Sequence, residues 1–266
     1  MTDQYAVIGN PVAHSKSPWI HAEFARQTRQ DLDYGRIKAP LDGFARAVDA
    51  FRAAGGRGAN VTLPFKEEAY RYCHGAVSER ARAVGVVNTL MFDGDRVHGD
   101  NTDGIGLLRD LTINLRRTVA GRRVLLLGAG GAAQGVLAPL AAAGPLRLFV
   151  ANRTAGRARE LAQRHGVGGG GYDEIASEEF DLLINATSAG LAGEAPPLPP
   201  GVFAAGALGY DMVYGRDTPF LALARAAGAA ACDGSGMLVE QAAESFLLWR
   251  GVRPDTAPVL AALRKG

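Results

Sequence analysis

The sequence predicts an α/β protein of two domains, an N-terminal α/β unit followed by a doubly wound parallel sheet. Three observations predict it. The chain has 266 residues, more than the ~100–200 of a typical single domain. Short apolar runs of strand length alternate along it with segments of helical periodicity. After Gly121 the pattern restarts as strand, glycine-rich turn, small-residue helix and second strand, the unit from which doubly wound sheets are built.

The first apolar run, residues 5–8, reads as a strand ending in the turn Gly9-Asn10-Pro11. A helix is expected from Ser17 to about residue 27, with Ser17 as N-cap, Pro18 at the first helical position and Ile20, Phe24 and Ala25 as its apolar stripe. Strands near 34–37 and 59–62 alternate with helices near 41–54, 64–73 and 78–84. Residues 86–92 and 96–98 flank Asp93-Gly94-Asp95 as a tight hairpin, and Thr102 starts a helix to about 116. The boundary between domains falls near 101–117. In the second half, residues 123–127, 146–151, 181–185 and 206–210 read as strands, with helices near 131–143 and 154–165. Residues 166–171 read as a loop, and 237–249 and 253–265 as closing helices.

Hydrophobic residues at 47% and charged residues at 21% match soluble globular chains and exclude a disordered or fibrous one. A net charge of +2, with acidic and basic residues interleaved, offers no stripe for a phosphate backbone, so nucleic acid is not an expected partner. The two cysteines, Cys73 and Cys232, have no metal or disulfide spacing, and no metal site is expected. The start Met1-Thr2-Asp3-Gln4 lacks the basic region of a secretory signal, so a cytoplasmic location is expected. Residues 124–146 are uncharged and long enough to cross a bilayer. Their glycines, Pro139 and Gln134 suit a buried strand-turn-helix better, and no membrane association is expected.

Gly128-Ala129-Gly130-Gly131-Ala132-Ala133 fits G-x-G-x-x-G/A between an expected strand and an expected helix, which makes this half a Rossmann-like dinucleotide-binding domain. The first glycine allows the tight turn, the second lets backbone approach a pyrophosphate, and the small last residue lets the helix pack on the sheet. At the end of the second strand an acidic residue would accept from a ribose 2′-hydroxyl. Asn152-Arg153-Thr154 stands there instead, with Arg157 one turn on, a set suited to a 2′-phosphate and hence to NADP.

Three polar groups lie at expected strand ends of the first half: His14-Ser15-Lys16-Ser17, the run Asn60 to Lys66, and Asn88-Thr89 with Asn101-Thr102-Asp103. The two serines suit either a helix start or a carboxylate or hydroxyl ligand. Lys66 and Asp103 together suit proton transfer to and from an alcohol, while singly each is also an ordinary surface charge.

These segments closely resemble the shikimate dehydrogenase family over nearly the whole chain. The residues that carry the likeness are Gly9-Asn10-Pro11 with His14 to Pro18, Asn60 to Lys66, Gly85-Val86-Val87-Asn88-Thr89 and Gly99 to Gly104. The second half adds the Gly128 turn, Asn152-Arg153-Thr154, Asn185 to Ser188, Asp211 to Tyr214, Thr218 to Leu221, and Asp233 to Leu238 with Gln241-Ala242. The resemblance implies NADPH-dependent reduction of 3-dehydroshikimate to shikimate in aromatic amino acid biosynthesis. Lys66 would be the acid/base and Asp103 its partner, with Ser15, Ser17, Asn60, Thr62, Asn88, Tyr214 and Gln241 on the substrate. It places Gly128, Ala129, Gly130, Gly131, Ala132, Asn152, Arg153, Thr154, Arg157, Met212 and Gly234 around the cofactor. It also implies a substrate domain over 1–101, an NADP domain over 102–236, and helices over 237–266 returning to the first. Two positions depart from the common wording: Val86, where alanine is usual, and Leu191, where methionine often stands, the latter expected to alter packing near the nicotinamide. A quinate/shikimate paralogue and a non-catalytic NADP-binding sensor are the alternatives, and a homodimer is as compatible with the sequence as a monomer.

Overall fold

The computed structural model describes residues 2–265; the side chains of Leu191 and Ala192, and with them the expectation attached to Leu191, lie outside the described set. In chain order the elements are β1 (Asp3–Gly9), α1 (Ser17–Thr28), β2 (Leu32–Lys38), α2 (Phe44–Ala53), β3 (Gly56–Val61), α3 (Lys66–Tyr72), α4 (Glu79–Val84), β4 (Thr89–Asp93), β5 (Arg96–Asp100) and α5 (Asp103–Arg109). A π-helical turn, Asp110–Asn114, follows. Then come β6 (Arg123–Leu127), α6 (Gly131–Ala142), β7 (Arg147–Ala151), α7 (Ala155–Arg164), β8 (Gly168–Gly170), β9 (Phe180–Asn185), β10 (Phe203–Asp211), α8 (Pro219–Ala226), β11 (Ala230–Cys232), α9 (Ser235–Arg250) and α10 (Thr256–Leu263).

The chain divides into two compact units, Met1–Gly106 with Leu238–Gly266, and Leu107–Met237. The first holds a mixed sheet of order β2-β1-β3-β4-β5, parallel at β1/β2 and β1/β3 and antiparallel through the β4–β5 hairpin. Successive strand residues face opposite ways. Ile8, Ala59 and Val61 accordingly pack with Phe44, Val48, Phe65 and Ala69 of one helical layer. Tyr5, Val7 and Tyr34 pack with Val12 on the other side, against Trp249. A further cluster joins Ile20 and Phe24 of α1 to Val239, Ala243 and Phe246 of α9 and to Leu260 of α10, so the last helices complete this unit's core.

The second unit is a six-stranded, all-parallel sheet of order β11-β10-β9-β6-β7-β8. Its strands read as near-continuous apolar runs because both faces are covered. Val124 and Leu126 point into one core with Val136, Leu140 and Leu161, while Leu125 and Leu127 point into another with Phe149, Phe180 and Phe220. The strand order reverses between β6 and β9, and such a reversal opens a crevice at the strands' carboxyl ends.

Three local features differ from the sequence reading. Lys16, not Ser17, is the N-cap of α1; Ser17 is the first helical residue, and its N–H donates to Ser15 Oγ at 3.2 Å. Within 166–171 the three glycines of β8 form a true edge strand, paired with Phe149 to Ala151 of β7. Glycine is required there, because a Cβ at Gly169 would lie 2.5 Å from Ala162 and 2.7 Å from the Ala158 carbonyl oxygen of α7. Helix α8 and strand β11 stand where no element was expected.

Candidate active site

In the first unit the polar groups singled out from the sequence emerge along one edge of the mixed sheet. Ser15 and Ser17 follow β1, Asn60 ends β3 and Lys66 follows it, Asn88 precedes β4, and Asp103 follows β5. The strands that bring them there are paired side by side, so residues far apart in sequence share one edge.

Lys66 opens α3 directly after Phe65, whose ring is buried against Phe44 with centroids 5.2 Å apart. Its Nζ donates to Asp103 Oδ2 at 2.5 Å, with the lysine side chain 14% and the aspartate 6% exposed. The other carboxylate oxygen, Oδ1, accepts from Asn88 Nδ2 at 2.9 Å. The Asp103 N–H is taken by Asn101 Oδ1 at 3.0 Å, fixing the first turn of α5. Donors on both of its oxygens hold this buried carboxylate in one orientation.

Asn88, nearly fully buried, is the hub. Its Nδ2 also reaches Thr102 Oγ1 at 2.9 Å and Gln241 Oε1 at 3.3 Å, while its Oδ1 accepts from the Thr102 N–H at 2.8 Å and from Thr89 Oγ1 at 2.9 Å. Gln241, on α9, is brought close because Gly106 has no side chain: a Cβ there would lie 2.7 Å from Gln241 Cβ. Asn60 donates from Nδ2 to the Asn88 carbonyl at 3.2 Å, to Thr89 Oγ1 at 3.2 Å and to Ser245 Oγ at 3.0 Å. The buried hydroxyls of Ser15 and Ser17 pair at 3.2 Å. Thr62 is half-buried at the end of β3, and its methyl fills the space that a Cβ on Gly9 would need.

Sequence reasoning missed two members of this network, Ser245 and Tyr34. Thr89 and Ser245 approach to 2.9 Å across 156 positions of sequence, and the Tyr34 hydroxyl donates to Asn60 Oδ1 at 2.7 Å. Ser245 had one available signal, its i+4 spacing from Gln241 on a helix face. His21 stacks on Tyr34 with centroids 4.2 Å apart and planes 4° from parallel. Neither of its ring nitrogens finds a hydrogen-bond partner among the described residues, and burial pushes the imidazole down to about 3.

In the second unit the glycine turn lies at the carboxyl end of β6, beside β9, where the strand order reverses. Gly128 has φ +108°, and a Cβ there would come within 3.2 Å of the Ala186 carbonyl group. Gly130 is the N-cap of α6; no side chain caps the helix, and a Cβ on Gly130 would meet nothing within 4 Å. That open cradle over uncapped N–H groups fits a pyrophosphate. Ala133 is fully buried, allowing α6 to lie close on the sheet. At the end of β7, Asn152 donates from Nδ2 to the Thr154 carbonyl at 3.1 Å, and Arg153 and Arg157 are exposed around the start of α7. These donors fit a phosphate on the ribose. Gly234 passes so close to the Met212 carbonyl that any side chain would collide with it. Tyr214 follows β10 in this same unit.

Below that crevice Asp211 is buried and accepts from Thr218 Oγ1 at 2.6 Å, the Val213 N–H at 3.0 Å and Asn185 Nδ2 at 3.1 Å. Burial raises its carboxyl above the usual range, against those donors. The network fixes the carboxyl ends of β9 and β10. Among the described residues no cluster of potential ligands could hold a metal ion, and no helix is long and apolar enough to cross a membrane.

Three family models match the chain: the shikimate dehydrogenase substrate binding domain over residues 7–90, shikimate / quinate 5-dehydrogenase over 111–192, and the shikimate 5'-dehydrogenase C-terminal domain over 234–264. The shikimate dehydrogenase (NADP(+)) of Dechloromonas aromatica strain RCB is 60% identical over 99% of this chain and 98% of its own. An Ael1 enzyme from Pseudomonas putida superposes with a TM-score of 0.92 at 47% identity, covering 98% of both chains. The shikimate 5-dehydrogenase of Thermus thermophilus, solved in complex with NADP(H) and shikimate, gives 0.89 at 35% identity over 99% of both.

Proposed function

The chain belongs to the shikimate dehydrogenase family, and from that premise we propose that it catalyses the reversible, NADPH-dependent reduction of 3-dehydroshikimate to shikimate, in the cytoplasm and on the route to aromatic amino acids. The observation that carries this reading is the Lys66–Asp103 pair at 2.5 Å, set among buried amides and hydroxyls. A cationic donor held beside a fixed carboxylate is what carbonyl reduction to an alcohol requires.

NADPH supplies the hydride when it is bound. Ala129, Gly130, Gly131 and Ala132 would meet its pyrophosphate with the backbone N–H groups that open α6, beside Gly128, and Asn152, Arg153, Thr154 and Arg157 would receive its 2′-phosphate. Met212 and Gly234 complete the proposed cofactor set. In the reductive direction negative charge develops on the substrate's carbonyl oxygen. The Lys66 ammonium stabilises that charge and then gives up a proton to it, leaving a neutral amine and a hydroxyl group. Asp103 orients both the amine and the substrate hydroxyl. In the oxidative direction Lys66 takes the hydroxyl proton, and the ammonium re-forms against Asp103.

Ser15, Ser17, Asn60, Thr62, Asn88, Tyr214 and Gln241 are the proposed contacts for the carboxylate and hydroxyls of the substrate. Their donors and acceptors match a small, highly polar ring, and an analogue lacking a partner group leaves buried polar atoms unpaired. The test is a panel of initial rates with purified protein, offering shikimate or quinate with NADP or NAD and following reduced-nicotinamide absorbance. Shikimate with NADP is expected to lead every other pair by about tenfold or more in kcat/KM. Preference for quinate or NAD would move the protein to a related activity, and silence from all four pairs with cofactor still bound would point to a sensor.

A further inference from the structure

Strand β2 contributes no residue to the proposed chemistry, yet two of its side chains hold proposed substrate contacts, Asn60 and Ser15. Tyr34, 6% exposed, donates from its hydroxyl to Asn60 Oδ1 at 2.7 Å. The orientation of that amide is settled from its other end, where Nδ2 donates to the Asn88 carbonyl, Thr89 Oγ1 and Ser245 Oγ. Asn60 Oδ1 therefore faces Tyr34, and the phenol must be the donor. Beside it, Ser17 Oγ accepts from Ser15 Oγ at 3.2 Å, and the Ser17 N–H donates to Ser15 Oγ at 3.2 Å. Two positions further along β2, Arg36 grips the Ser15 carbonyl oxygen with Nε at 3.1 Å and Nη2 at 2.6 Å. The Tyr34 ring is itself held by the stacked His21.

We infer that Tyr34 is a positioning residue for substrate binding, with Arg36 as its outer counterpart: Tyr34 fixes where the Asn60 amide points and Arg36 fixes the Ser15 backbone before substrate arrives. The inference rests on the reading that Ser15, Ser17 and Asn60 meet the substrate. A side-chain amide and a loop backbone have rotational freedom of their own, and holding them in place beforehand removes an ordering cost from binding. On that reading Asn60 and Ser15 meet a part of the substrate that does not react at Lys66, so their contribution is the same in the bound complex and in the transition state. Loss of such a contribution raises KM and leaves kcat in place.

The experiment is steady-state kinetics on Y34F and R36M beside the wild type, varying shikimate and NADP separately, with a thermal unfolding curve for each protein. Y34F is expected to raise KM for shikimate about tenfold, as befits one lost buried hydrogen bond, with kcat within about twofold and KM for NADP unchanged. R36M is expected to shift KM for shikimate about threefold in the same direction. Unchanged KM for shikimate in both variants overturns the inference, as does a parallel loss of kcat and NADP affinity tracking a lowered melting temperature. If Y34F fails to fold, Arg36 decides alone, because it is exposed and its replacement leaves the core intact. A wild-type protein that does not turn over shikimate overturns the underlying functional reading instead, and is recognised before either variant is measured.

Discussion

His21 and Arg153 show how single side chains carry the electrostatics of this chain. His21 is fully buried, and burial pushes it down to about 3, whereas an unfolded histidine titrates near ~6.5. Between those values the unfolded state binds a proton that the folded state does not, so stability falls as the pH drops from about 6.5 towards 3. The contribution of this residue approaches ~1.4 kcal/mol per pH unit in the middle of that window. Urea unfolding of H21F and wild type at pH 7, 6 and 5 should show the wild type losing more stability with acid; parallel losses would contradict the assignment. Arg153 acts on the ligand rather than the fold. Arg153→Ala is expected to raise KM for NADP by about tenfold or more and leave NAD kinetics nearly unchanged, because a charge-assisted bond to a 2′-phosphate is lost. Equal effects on both cofactors would remove Arg153 from the phosphate site.

Among the elements, the β6–turn–α6 segment permits the cleanest separation of stability from binding. Gly130 has φ −92° and ψ −177°, open space above it, and no side chain capping the helix it precedes. Aspartate there would be a good N-cap, worth roughly a few tenths of a kcal/mol over glycine, yet would set a carboxylate where the pyrophosphate is proposed to sit. Gly130→Asp is therefore expected to melt no lower than wild type while its NADP affinity, measured by calorimetry, falls about tenfold or more. Retained affinity would mean that phosphate binds elsewhere. The same segment was the most legible in the sequence, because β6 and its turn are defined by neighbours along the chain. β8 was not legible: three glycines carry no strand preference, and only the close approach of Phe149 to Gly168, of Ala158 and Ala162 to Gly169 and of Glu174 to Gly170 explains them. Helix α8 did carry a signal, Thr218 followed by Pro219, and the Thr218 hydroxyl does accept from the Leu221 N–H at 3.3 Å. The N-cap of α1 was misplaced by one residue because two serines competed for one role, and Ser15 takes the N–H of Ser17.

At the scale of the whole molecule, the first unit is assembled from both ends of the chain. Ile20 and Phe24 bury against Val239, Ala243 and Phe246, and Arg80 bridges Asp100 at 2.6 Å and Glu244 at 2.8 Å. Truncation after Met237 should therefore abolish shikimate binding and cooperative unfolding of the first unit, while residues 107–237 keep their own two cores and their affinity for NADP. Shikimate binding that survived this truncation would contradict the assembly.

Scale also governs how much of the candidate site could be read beforehand. Lys66, Asp103, Asn88 and the two serines stand in compact runs of polar residues, so their identity was legible. Their convergence depended on the pairing of β3 with β4 and β4 with β5. Ser245 and Tyr34 were not read as site residues, because their contacts join positions 156 and 26 residues apart and only the i+4 spacing of Ser245 from Gln241 marked either of them locally.

The most direct test of the account is the Lys66→Ala variant, assayed for shikimate oxidation with NADP alongside calorimetric binding of both ligands. Loss of the proton-transferring group is expected to lower kcat by about 10²–10⁴-fold while NADP affinity is unchanged and shikimate still binds. Turnover at the wild-type rate would contradict the central claim, that Lys66 held against Asp103 moves the proton in this reaction.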